Sequence, residues 1–461
     1  MNASVHSVPD EPVEPSGLPA ETVDALFSPL ASFSTLALGV SGGADSLCLL
    51  VLFSEWRQRA NWRGDAEVLV VDHGLRPESS DEAQFVFEAA ARNGLPAKII
   101  PWDEPRPTSN VQEAARHARY RLMAHRMNET GAQALLLAHH LDDQAETFLD
   151  RLTRGSGVSG LSAMVQDTAD GPEGVRLLRP FLGVRKNRLE AALRERGLTW
   201  CTDPSNIDPK YKRSRLRRIM DLLEEEGLSA ERLAETAAHM RRSREALEAT
   251  VSDVAARNVE HHPAGPARIA RETYMKLAED LRLRLLAVLI TDVTGRPSRP
   301  RFQKVQALDA ALVSGDAVHQ SLSGAVFAAD ENSVWCWREP GRNPPETVRD
   351  LGAGGVWDDR YAFSLLPDTA LADVAGLKLG PLQSAPVRSR DVVWPEGWPK
   401  AAFDCSPMVW SEDGKTYTNP VTLPTRLEEN NHINGLDLAR VPIRGKLSAS
   451  NGDEENFCGE F

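Results

Sequence analysis

A chain of 461 residues, 41% of them hydrophobic, has room for two or three domains with real cores. Its net charge of −13 argues against bulk polyanion binding as a property of the whole chain. Five scattered cysteines (Cys48, Cys201, Cys336, Cys405, Cys458) form no C-x-x-C, which excludes a zinc ribbon or iron–sulfur signature and suits a reducing cytoplasm.

Residues 1–20 are acidic and Pro-rich, with neither a basic start nor an apolar core, so they read as a disordered tail rather than a signal peptide. No apolar run is long enough to span a membrane. The first strong element is TLALGV, residues 35–40, a continuous apolar run that predicts a buried parallel strand. It stops at Ser41-Gly42-Gly43-Ala44-Asp45-Ser46, and the helical run LCLLVLFSEW follows at once. Strand, Gly-rich turn and helix form a phosphate cradle: the glycines let successive N–H groups face one point, and the helix adds its positive end. Ser41 and Ser46 supply hydroxyls. A carboxylate beside phosphate repels it unless a cation intervenes, so Asp45 reads as a Mg²⁺ holder; the plainer reading is a helix cap. The turn lacks the lysine and spacing of a Walker loop.

Further strands are predicted at 66–71, 97–102 and 133–138, with helices at 79–92 and 109–129, the latter capped by Ser109. Alternation of this kind predicts an α/β fold on a mostly parallel, doubly wound sheet. Ligands in such sheets sit beyond the carboxyl ends of the strands. SGGADS, DHGLR and HHLDDQAET each begin where a strand ends. In the last, Asp142 and Glu146 lie one helical turn apart, suited to Mg²⁺ or to orienting an amine; acids that merely favour the helix dipole are the plainer alternative. His139 and His140 are candidates for phosphate or base contact. GSGVSG at 155–160 matches G-x-G-x-x-G but follows a helix pattern, so it reads as a flexible loop and not a dinucleotide site.

Residues 176–218 carry a net charge of +9 within this acidic chain, a focused site for a polyanion or a solvated helix face. The polar, basic stretch from Asp203 to Arg218 suits RNA backbone contact. Beyond residue 220 the pattern is helical, ending in a hairpin around Asp330-Glu331-Asn332, and EPGRNPPE marks a boundary. Residues 346–461 are Trp- and Pro-rich with short strand-like runs, no repeat and an acidic tail. The expected division is 1–20 tail, 21–222 nucleotide-binding domain, 223–340 helical domain with a hairpin, and 341–461 a small mixed C-terminal domain.

SGGADS resembles the PP-loop of the ATP pyrophosphatases, a fold akin to the adenine nucleotide alpha-hydrolases. The ordered set SGGADS, VDHGLR, QEAARHARY, LLLAHHLDDQAETFLDRLTRGSG, LLRPFLGVRKNRL and TDPSNIDPKYKRSRLR is more specific and resembles the tRNA(Ile)-lysidine synthases over roughly residues 35–218. The basic C-terminal signature of many members is not evident. The resemblance implies a cytoplasmic ligase that uses ATP and Mg²⁺ to attach free L-lysine to C2 of the wobble cytidine of CAU-anticodon tRNA-Ile. An adenylated cytidine is the intermediate, and AMP and diphosphate are released. It implies ATP contacts from Ser41 to Ser46, metal contacts at Asp45 and Asp142, and catalytic roles for Asp45, Arg116, His139, Asp143 and Glu146. Arg185, Lys186, Lys212, Arg213 and Arg217 are implied to hold the tRNA. Arg116 and Arg119 share a helix face and reach phosphate or substrate, or lie on the surface. The family also admits a homodimer, for which the sequence offers no readable interface. Competing readings are a PP-loop tRNA thiolase, for which no suitable cysteine pattern is present, and a noncatalytic nucleotide- or RNA-binding module.

Overall fold

The structure is a computed structural model and describes residues 16–75, 77–104, 111–202, 212–296, 300–341, 344–367, 371–412, 414, 416–418, 431–432 and 436–441. Outside the described residues lie the first fifteen positions, Arg76, the Ser109 cap, the 203–211 stretch and the acidic tail. Described residues up to Arg244 belong to one compact unit and those from Glu245 to another, the division falling inside one long helix.

The first unit begins with α1 (Ala20–Phe27), β1 (Thr35–Gly39), α2 (Ala44–Arg59), β2 (Asp65–Asp72), α3 (Ser79–Arg92), β3 (Ala97–Pro101), α4 (Val111–Thr130) and β4 (Ala134–Leu136). It continues with α5 (Leu141–Thr153), α6 (Val158–Leu161), β5 (Asp167–Thr168), β6 (Leu177–Leu178), α7 (Lys186–Glu195), α8 (Lys212–Glu225) and α9 (Ala230–Asn258). The sheet runs β3-β2-β1-β4-β6-β5, parallel throughout except for β5 at its edge. The chain therefore moves outward from β1 to β3, then returns to lay β4 on the other side of β1. That reversal opens a crevice between the carboxyl ends of β1 and β4, where such sheets bind ligands.

Why these segments form a three-layer unit is visible in their burial. One side of the sheet is covered by α2, which is buried on nearly all faces and joins Phe27, Phe53, Trp56 and Phe181 in an aromatic core. The opposite side takes Tyr120, Met123 and Met127 of α4 against Ala37, Leu69 and Leu135. Residues 16–19, assigned from sequence to the tail, are docked: the Gly17 N–H donates to Glu195 Oε1 (2.7 Å), Arg188 donates to the Gly17 carbonyl (3.2 Å), and Leu18 is buried. A third cluster joins Leu141 and Phe148 of α5 to Leu216 of α8 and Leu233 of α9, fixing α8 over the helix that follows β4.

The second unit holds β7 (Val259–His261), β8 (Ala267–Ala270), α10 (Arg271–Lys276), α11 (Glu279–Thr294), α12 (Phe302–Val313), β9 (Val318–Leu322), β10 (Ala325–Ala329) and β11 (Ser333–Arg338). The hairpin expected around residue 331 is present as β10–β11, within an antiparallel sheet ordered β7-β8-β11-β10-β9. Next come β12 (Gly355–Trp357), β13 (Tyr361–Leu365), α13 (Leu371–Val374), β14 (Leu377–Pro381), β15 (Pro407–Ser411), β16 (Thr416–Thr418), β17 (Asn431–His432) and β18 (Leu436–Arg440), in two small sheets. Hydrogen bonds from Tyr361 to the Pro263 carbonyl (3.2 Å), from Trp335 to the Gly397 carbonyl (3.3 Å) and from Arg440 to Asp292 (3.2 Å) tie this part to the β7–β8 connection, to β11 and to α11. The residues on either side of EPGRNPPE thus share one compact unit. Among the described residues no helix is long and apolar enough to cross a membrane.

Candidate active site at the sheet reversal

The turn after β1 is closed by its own hydroxyls. Ser46 Oγ donates to the Gly43 carbonyl (3.1 Å) and accepts from the Ser41 N–H (3.2 Å), with Ser41 Oγ also 3.2 Å away. Gly42 takes φ +91°, and an added Cβ would lie 3.3 Å from Val86 and 3.4 Å from the Cys201 sulfur. Only glycine meets both demands cheaply. The Cys201 N–H donates to the Gly42 carbonyl (3.0 Å), so the loop is held from outside as well. Gly43 precedes the first turn of α2, whose free N–H groups face the crevice end of the sheet.

Asp45, in that first turn, faces His140 Nε2 at 3.4 Å and Lys186 Nζ at 3.5 Å. Burial alone would raise its carboxyl; His140 and Lys186 outweigh this and hold it well below the ordinary carboxylate range. Its Oδ1 is buried without a hydrogen-bond partner among the described residues. An orphaned carboxylate oxygen beside a phosphate cradle fits Mg²⁺, which takes one or two carboxylates and completes its shell from phosphates and water. Among the described residues no three His, Cys, Asp or Glu side chains converge as a self-contained metal centre.

Across the crevice, α5 begins with a reciprocal cap. The His140 N–H donates to Asp143 Oδ2 (2.9 Å), and the Asp143 N–H donates to His140 Nδ1 (3.3 Å). Asp142 turns the other way: it accepts from the first amide of α7, Lys186 N–H (2.7 Å), and pairs with Arg185 (3.2 Å). The two carboxylates expected to share a metal therefore sit on opposite edges of the His140 ring, Asp45 near Nε2 and Asp142 3.6 Å from Nδ1.

Glu146 lies one turn further along α5 and is buried. Arg213 Nε donates to its Oε2 (2.5 Å) and Arg217 Nε to its Oε1 (2.6 Å), while Arg213 also pairs with Asp143. Desolvation wins over Arg217 and raises the Glu146 carboxyl. Arg213 and Arg217, expected on an RNA-facing surface, are thus turned inward onto the acids of α5. Lys212 bonds Thr153 Oγ1 (2.8 Å) and pairs with buried Asp150. Arg185 bridges Asp142, Glu224 and Glu231. Lys186, also expected at the RNA, starts α7 and reaches Asp45 of the phosphate loop with its Nζ (3.5 Å).

His139 is buried, its Nδ1 accepting from Arg179 (3.2 Å), which also holds the Val165 carbonyl and Thr168 Oγ1 (both 2.9 Å). Arg116 and Arg119 are buried rather than lying on the surface. Arg116 stacks over Tyr120, and Arg119 bonds His73 after β2 (3.2 Å). Of the GSGVSG stretch, the second half starts α6, and the Gly160 carbonyl accepts from buried Arg151 (2.7 Å). The resemblance pointed to His139 and not to His140 for a catalytic role; the cap position of His140, immediately before the helical run, was the signal that could have drawn attention to it.

Residues 19–223 match the family model described as a PP-loop domain. The chain is 39% identical over 331 residues to the tRNA(Ile)-lysidine synthase of Rhodopseudomonas palustris, covering 68% of this chain and 94% of that protein. Against the synthase of Wolbachia sp. subsp. Brugia malayi identity is 32% over 423 residues, covering 91% of each chain, and against that of Ruegeria pomeroyi it is 35% over 383 residues, covering 82% and 86%. A phosphate loop and an acid-rich helix joined at the sheet reversal, carried on a sequence matching these proteins along most of their length, establish that the chain belongs to the tRNA(Ile)-lysidine synthase family.

Proposed function

We propose that the chain attaches free L-lysine to C2 of the wobble cytidine of CAU-anticodon tRNA-Ile at the expense of ATP, working in the cytoplasm. The observation that carries this is the meeting of Asp45 and Asp143 at a single imidazole, with phosphate chemistry on one side and amine chemistry on the other. The cytidine O2 attacks the α-phosphorus and diphosphate leaves, which turns a poor leaving group into AMP. The lysine ε-amine then adds at C2, loses a proton, and the C2–O bond breaks to release AMP.

Ser41, Gly42, Gly43, Ala44 and Ser46 cradle the phosphates, with Lys186 adding positive charge beside Asp45. Mg²⁺ held through Asp45 would neutralise the departing diphosphate. Asp143 and Glu146 bind the amine and accept its proton, a role suited to the raised Glu146 carboxyl. Arg213 and Arg217 orient those carboxylates. His139 and Arg116 act from behind as supports for the strand end and the neighbouring helix. Asp142 fixes Arg185 and the start of α7. Arg185 and Lys212, which keep partial exposure, meet the anticodon arm, whose target base leaves its stack.

The test uses ATP, Mg²⁺, radiolabelled lysine and two transcripts, isoleucine and methionine tRNAs with the same CAU anticodon. Label should enter the isoleucine transcript alone, with equivalent AMP release. AMP without lysine incorporation would reassign the nucleophile, and no AMP at all would overturn the catalytic reading.

A further inference from the structure

We propose that His140 is a positioning residue that locks the phosphate-loop carboxylate and the α5 carboxylate into one frame. The inference rests on the reading of Asp45 as the diphosphate-side group and Asp143 as the amine-side group. The side chain is 2% exposed, and both edges of the ring are used. On the Nδ1 edge it accepts the Asp143 N–H at 3.3 Å. With that edge taken, Nε2 is the ring nitrogen that faces the carboxylates. Nε2 is 3.4 Å from Asp45 Oδ2 and 3.4 Å from Asp143 Oδ2. The same Asp143 oxygen is pinned by the His140 backbone N–H at 2.9 Å. One side chain thus sets the separation and orientation of two carboxylates that stand on different strands' ends.

Capping does not account for the choice of histidine. Asn, Asp and Ser cap a helix start at least as well and need only one acceptor. What imidazole adds is a second nitrogen, about two ångströms beyond the first and aimed at the phosphate loop. Asparagine places an amide near the Nδ1 position alone, so His140→Asn keeps the cap and removes the bridge. Glutamine extends an amide N–H toward the Nε2 position, so His140→Gln favours the bridge over the cap.

The two variants separate the roles. In each, four quantities are measured: the thermal midpoint, equilibrium binding of α,β-methylene-ATP with Mg²⁺, the rate of AMP formation from ATP, and the lysine concentration giving half-maximal incorporation into the isoleucine transcript. His140→Asn, which keeps the cap, should melt above His140→Gln. It should nevertheless lose about 10- to 100-fold in analogue affinity or in AMP formation, the usual effect of removing a group that orients a ligating carboxylate. It should also need more lysine. His140→Gln should melt lower yet retain more binding and turnover than His140→Asn. Losses that track the thermal midpoint in both variants, or a His140→Asn protein that binds and turns over like the parent, would overturn the inference. If the parent itself makes no AMP, the functional reading fails, while the analogue-binding comparison still decides whether His140 sets the frame.

Discussion

Replacing Arg213 by Met should cost about 3 kcal/mol in the first unit, the low end of the range for breaking a buried pair. Arg213 is 13% exposed and Glu146 2%, so solvent screens little of their interaction. The methionine keeps the apolar stem, which confines the loss to charge and hydrogen bonding. The low end applies because Arg217 still bonds Glu146 Oε1 at 2.6 Å. For a unit of this size, about 3 kcal/mol lowers the melting temperature by roughly 6–12 °C. The pH dependence has a definite sign. Burial raises the Glu146 carboxyl, so the stability tied to that group is full below the unfolded carboxylate range and is lost as pH rises through the raised folded value. Without Arg213 the folded value moves higher still, and the penalty should widen from about pH 5 to about pH 8. Neutralising the acid in Arg213→Met/Glu146→Gln should recover about half of the loss, Asp143 remaining charged. Differential scanning fluorimetry at the two pH values reads all four proteins. A penalty that is the same at both pH values and in the Glu146→Gln background would refute an electrostatic role for Arg213.

Asp45→Asn keeps the side-chain shape while removing the charge that His140 and Lys186 face, so the thermal midpoint should fall, and AMP formation by the folded variant should fall at least about a hundredfold. Gly42→Ala must accommodate φ +91° and a methyl 3.3 Å from Val86, which costs about 1–2 kcal/mol and should weaken ATP binding measured by equilibrium titration. Burial and Arg119 push His73 down to about 3, so the stability it contributes is present above the ordinary imidazole value and is lost as pH falls from there toward the folded value. His73→Asn should therefore flatten the loss of stability in acid, read as urea midpoints between about pH 7 and about pH 4.

The parallel sheet was legible because its inner strands are unbroken apolar runs that end in polar clusters, and the phosphate loop because glycines and hydroxyls have little other reason to stand between a buried strand and a buried helix. Strand β5, two residues long, carries no periodicity and was not separable from loop, whereas β6 and α7 lie in VRLLRPFLGVRKNRLEAALRERGL, which reads as a short strand followed by a helix. The direction of the arginines on α8 was also hidden. A charge run records composition, while Arg213 and Arg217 turn inward because buried acids await them on α5, 67 and 71 positions away. Their i,i+4 spacing, matched to the i,i+3 spacing of Asp143 and Glu146, was the one trace of this in the sequence. The second unit was legible as helices plus a hairpin. Its remaining strands are short and carry polar residues such as Glu260, His261 and Arg268, so they lack the alternation that marks a strand.

The inward use of basic residues has a thermodynamic consequence for RNA capture. Counterion release scales with the number of phosphates that cations neutralise. Arg176, Arg185, Lys186, Arg194, Arg196, Lys212, Arg213 and Arg217 already have carboxylate partners within the protein. Each such cation that turned to a phosphate would exchange one anion for another and expel fewer ions than a free lysine. The salt dependence of tRNA affinity should accordingly be much shallower than a net charge of +9 over residues 176–218 implies, and recognition would lean on shape and stacking more than on the ionic atmosphere.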